Sequence, residues 1–117
     1  MAALTVRTLD RTGSLGTLTD LAEAAAALGD YFENDGATVL AVVNGSAGAV
    51  NVTVAFGSRA IIDGTAPPGR VLTVAAGKTS VFGFWKPYDW NDANGRVQLT
   101  YDTVTTIKVL AFKPSVT

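Results

Sequence analysis

Tyr31-Phe32-Glu33-Asn34-Asp35-Gly36, followed by the apolar run 39–43 and by Val50-x-Val52-x-Val54-x-Phe56, decides how the chain is read. The pattern returns as Tyr88-Asp89-Trp90-Asn91-Asp92-Ala93-Asn94-Gly95, then Val97-x-Leu99-x-Tyr101 and Ile107-x-Val109-x-Ala111-Phe112. Each copy is an aromatic, an Asn-Asp turn closed by glycine, and two strands. Asn and Asp bond their own backbone in turns and Gly supplies positive φ, so both clusters punctuate the chain. Two copies are too few for a solenoid, which leaves pseudo-symmetry inside one sandwich.

Working outward, residues 37–43 are apolar on both faces, as in a central strand, and Asn44-Gly45 opens a turn. Residues 49–56 alternate, with Val50, Val52, Val54 and Phe56 on the core side. Residues 60–63 suit a short strand before the rigid Ala66-Pro67-Pro68-Gly69 break. Residues 70–75 and 78–85 flank the hairpin signal Ala76-Gly77, and residues 96–101 and 105–112 form a last pair around Asp102-Thr103. Seven to eight short strands at about ten-residue spacing predict an all-β antiparallel β-sandwich, jelly-roll or Ig-like. The inward set is expected to be Val52, Val54, Phe56, Val97, Leu99, Val109 and Phe112.

The sandwich pattern occupies residues 29–117 and leaves 1–28 as an N-terminal arm. Residues 4–9 alternate like a short edge strand, and 11–17 read as loop. Asp20-x-x-Glu23 has capping-box spacing before an alanine run that stops at Gly29. A short helix of about two turns is expected here, or else an extended arm lying on another subunit. Leu4, Val6, Leu9, Leu15, Leu18, Leu21 and Leu28 are too many apolar side chains for a free tail. They are expected to act between subunits.

The chemistry is bounded by what is missing. With 48% hydrophobic and 16% charged residues, the 117-residue chain is a single ordered domain whose poorly charged surface suits being covered by neighbours. A net charge of −1 gives no electrostatic case for nucleic acid. No apolar run approaches the roughly 18 residues of a membrane helix and no signal pattern opens the chain, so a soluble product of a cytoplasm is expected. Cysteine and histidine are both absent, which excludes disulfides, zinc–thiolate sites and a Ser-His-Asp triad. Asp30, Glu33, Asp35, Asp89 and Asp92 lack calcium-loop spacing and read as turn formers; no metal or cofactor is expected. The glycines at 13–16 and 45–48 precede no nucleotide-binding helix. Tyr31, Phe32, Trp85, Tyr88 and Trp90 are candidates for an aromatic contact surface, with Trp90, set in a polar turn, the foremost. Plugging the end of the sandwich core is their alternative role.

Several stretches together resemble small structural proteins of tailed phages, of the capsid decoration (cement) type. They are Gly-Asp-Tyr-Phe-Glu-Asn-Asp-Gly (29–36), Val-Leu-Ala-Val-Val-Asn-Gly (39–45), Val-Leu-Thr-Val-Ala-Ala-Gly-Lys-Thr (71–79), the run 88–101 and Thr-Thr-Ile-Lys-Val (105–109). The resemblance covers about residues 29–112. It implies a non-enzymatic β-sandwich on the outer surface of a virion, often a homotrimer, that clamps the major capsid protein. A carbohydrate-binding module and a tail or neck protein are the alternatives.

Overall fold

The computed structural model describes residues 2–9, 21–57 and 69–114, with the backbone alone at Leu9 and Pro114. Two mixed sheets pack face to face as an all-β sandwich. The first sheet runs β1 (Ala2–Ala3), β4 (Asp30–Glu33), β9 (Arg96–Tyr101), β6 (Val50–Val54), β7 (Arg70–Val74). The second runs β2 (Val6–Leu9), β10 (Ile107–Pro114), β5 (Val39–Asn44), β8 (Thr79–Phe82), and β3 (Glu23–Ala24) also pairs with β10. One four-residue helix, α1 (Pro87–Trp90), sits between β8 and β9.

Alternation builds the core. Val50, Val52 and Val54 of β6, Val97 and Leu99 of β9, and Ile107, Val109 and Ala111 of β10 are all buried between the sheets. Phe32, Leu40, Val42 and Val74 complete the layer. Two expected core residues fall short. Phe112 lies three residues from Val109, so on a strand of period two it faces the other side and is half-buried. Phe56 lies beyond the end of β6 and is also half-buried.

The two sequence copies interlock. β5 pairs antiparallel with β10, and β6 with β9, so each copy gives one strand to each sheet. The three expected hairpins are therefore arches: β5 and β6, β7 and β8, and β9 and β10 lie in opposite sheets. The connections 45–49, 75–78 and 102–106 are long enough to cross the roughly 10 Å between sheets. Asn44 anchors two of them. Its buried side-chain amide donates to the Gly48, Val74 and Ala75 carbonyls (2.9, 3.0 and 3.3 Å), and its Oδ1 accepts from the Ser46 N–H and hydroxyl.

The N-terminal expectations need the largest correction. β1 pairs parallel with β4, and β2 parallel with β10, against the expected all-antiparallel sheet. The antiparallel default holds for short connections, and these partners are far apart in sequence. β2 and β3 share one edge of β10, against its second and first halves respectively. The chain crosses from one sheet to the other between β1 and β2, and Leu4 drops into the core at the crossing. Residues 2–9 are thus part of the sandwich rather than surplus to it. From Ala22 onward the expected helix is absent. β3 replaces it, because the edge of β10 offers partners along its length, the Ile107 carbonyl accepting the Ala25 N–H at 3.0 Å. The Glu23 carboxylate accepts the Thr5 N–H at 2.9 Å, and Asp20, the other member of the expected capping box, lies outside the described residues. The loop 11–17, Leu15, Leu18, the strand at 60–63 and the 66–68 break lie outside the described residues.

Candidate interaction surface

The two Asn-Asp turns meet at one end of the sandwich. The Asn34 side-chain amide donates to Asn91 Oδ1 (2.7 Å) and to the Trp85 carbonyl (2.8 Å), and the Asn91 amide donates back to the Asn34 carbonyl (3.0 Å). This reciprocal clasp holds α1 and the Trp85 segment against the end of β4. Pro87 at the start of α1 presets its first turn, and the Asn91 N–H closes it on the Pro87 carbonyl. Gly57 lets the turn dock: a Cβ there would meet the Asn91 carbonyl oxygen at 2.5 Å, while its own N–H donates to the Asp89 carbonyl at 2.7 Å. Only a residue without a side chain permits that approach.

The docked helix assembles an aromatic corner. Trp90 stacks on Phe56 (centroids 5.0 Å apart) and meets Trp85 edge-on at 5.1 Å. Beside it a groove of about 330 Å³ opens between the outer strands β7 and β8, lined by Arg70, Leu72, Val81, Phe84, Trp85 and Trp90 among others. Of its lining Val81 is 56% and Phe84 68% exposed, and Val71, on β7, is 57% exposed. Trp85 is buried, and its indole N–H has no acceptor among the described residues.

The residues chosen from sequence scatter. Leu4 and Phe32 are core residues with no surface to offer a partner. They pack inward because Leu4 sits at the sheet-to-sheet crossing and Phe32 on the inner face of β4. Val6 is half-buried against the core, Leu21 is half-buried, and Leu28 stands 83% exposed in the turn before β4. Tyr31 is half-buried under the Arg96 guanidinium, 4.5 Å from its ring centre. Tyr88 is 60% exposed on α1, and Trp90 is half-buried in the aromatic corner. The side chains of Leu9 and Leu18 lie outside the described residues. Sequence reading passed over Val71, Val81, Phe84 and Arg70. Their signal was apolar residues at both parities of strands 70–74 and 79–82, beyond what a single core face requires.

Asp30, Asp35 and Asp92 are engaged in the architecture. Asp30 is buried and accepts the Tyr101 hydroxyl (2.7 Å) and the Ala26 N–H (3.2 Å). Burial, and then that bond to Asp30, push the Tyr101 phenol far above its ordinary value of 10.0. Asp35 accepts the Ala37 N–H and the Lys113 ammonium, which hold its carboxyl below the usual range. At Asp92 partial burial works to raise the pKa, but bonds from Gln98 and from the Asn94 and Arg96 N–H groups together outweigh it and lower it. Glu33 pairs with Arg96 at 3.1 Å in the open. Among the described residues no three Asp or Glu side chains converge as a cation cage, and no helix is long and apolar enough to cross a membrane. No family model, curated protein or solved structure matches the chain.

Proposed function

We propose that the chain is a non-enzymatic structural protein that works by surface contact, and specifically that it decorates the outside of a phage capsid. Its partners in this reading are the major capsid protein and further copies of itself, as a homotrimer, on virions assembled in a host cytoplasm. The observation that carries the contact role is the exposed apolar pair Val81 and Phe84 lining the groove, which a sandwich has no internal reason to leave open. Asp30, Asp35 and Asp92, held in turn or strand bonding, favour scaffolding over catalysis. The phage assignment rests on the resemblance across residues 29–112. Co-sedimentation of the purified chain with heads built from the capsid protein encoded beside its gene tests it. Saturable pelleting with heads is expected; a chain that stays in the supernatant overturns the decoration role.

The aromatic corner supports a second reading, a carbohydrate-binding module, since Trp90 and Phe84 offer ring faces beside a groove. A glycan array separates the two: binding abolished by Phe84→Ala on the array, with none to heads, favours the module.

A further inference from the structure

We propose that the free edge of β8 and the groove beside it take an extended segment of a partner protein, apolar at alternate residues and flanked by carboxylates. The inference rests on the contact reading above and names the chemistry of what is contacted.

The backbone comes first. β8 pairs with β5 alone, so its other edge is free among the described residues. The Asn44 N–H donates to the Lys78 carbonyl at 2.9 Å, which makes that pair a hydrogen-bonded position of the ladder. By antiparallel alternation Ser80 and Phe82 bond β5, while Thr79 and Val81 turn their N–H and C=O outward. An extended chain laid along this edge satisfies them, as in strand addition.

Side chains then select the occupant. Natural sheet edges are blunted with charge, proline or a cover. Here Val81 is open on β8 and Phe84 is open beside it in the groove, whose apolar walls include Leu72 and Trp90. Trp85 belongs to the same wall. Among the described residues, the charged side chains that line the groove or flank β8 most closely are cationic. Arg70 lines the groove, Lys78 precedes β8 and Lys86 follows it, and none has an ion-pair partner among the described residues. Among the described residues no carboxylate lines the groove. A second copy docked on the same edge about a twofold axis sets these cations against their like, whereas an acidic segment meets them with complementary charge.

The probes are synthetic fluorescein-labelled peptides of alternating valine and threonine, flanked by Glu-Glu or by Lys-Lys, titrated into the full chain. We expect the acidic peptide to bind at least about tenfold tighter than the basic one and to slow amide exchange at Thr79 and Val81. Val81→Pro, at an outward N–H that no ladder bond uses, should abolish binding. Arg70→Glu on the exposed rim should reduce or reverse the charge preference, and it covers the case in which Val81→Pro does not fold. Equal affinity for the two peptides, protection elsewhere, or binding unchanged in a folded Val81→Pro or Arg70→Glu chain overturns the proposal. So does a native oligomer that dissociates in Val81→Pro, which assigns the edge to a second copy. If the peptide fails while heads still pellet the chain, this inference alone falls. If heads fail while the acidic peptide binds at the edge, the decoration reading falls and the edge stands.

Discussion

The two long sides of the sandwich are finished in opposite ways. On one, β1 lies along β4, β2 and β3 share the edge of β10, and Leu4 plugs the gap where the chain crosses between sheets. On the other, β7 and β8 are the outermost strands and leave Val71, Val81 and Phe84 in solvent. Both sides face the same problem, unpaired edge groups next to apolar side chains. The first is solved within the chain by short parallel strands. The second is left open among the described residues, and the proposed contact surface rests on that asymmetry.

The comparison is tested most severely at the sealed side. Removing residues 1–9 takes a strand from each sheet together with Leu4. The loss should exceed that of Leu4→Ala, itself about 2–5 kcal/mol, and so consume much of a typical domain stability of about 5–15 kcal/mol. Urea unfolding reads it directly. A truncated chain as stable as the parent would make the sealed side dispensable and end the contrast. Asn34→Ala comes next. It opens the clasp on Asn91 and the Trp85 carbonyl, with an expected cost of about 1–3 kcal/mol and a changed tryptophan emission as α1 loosens. A loss without any emission change would separate the turns from the aromatic corner.

Tyr101 provides a subtler probe beneath the sealed side, where its hydroxyl holds Asp30. Its pKa is raised in the folded chain, so the folded state keeps a proton that the unfolded state releases. Its contribution is complete below pH 10.0 and declines as pH rises beyond that value. Tyr101→Phe should be less stable than the parent near neutrality and should lose stability less steeply in alkali. Denaturation at about pH 9 and about pH 11 checks the sign. The smallest effect belongs to the open side: Val81→Thr should shift folding stability by less than about 0.5 kcal/mol. A large loss there would mean that Val81 supports the fold, and the open side would no longer read as a surface left for a partner.

What the sequence determined was local. Val50-x-Val52-x-Val54 and Val97-x-Leu99 announced strands and their inner faces, because alternation is a property of neighbouring residues. The Asn-Asp-Gly clusters announced turns for the same reason. Which strand pairs with which was not legible: Asn44-Gly45 and Asp102-Thr103 read as hairpin turns, and only the packed fold shows them crossing between sheets. Glu23–Ala24 reads as helix from its alanines and becomes strand because the Ile107 carbonyl waits beside it. Leu4 reads as surplus apolar surface and is core, while Val81 reads as strand interior and stands in solvent. Burial and edge position depend on partners far away in sequence, so they were settled only when the two sheets closed over residues 2–9 on one side and stopped at β7 and β8 on the other.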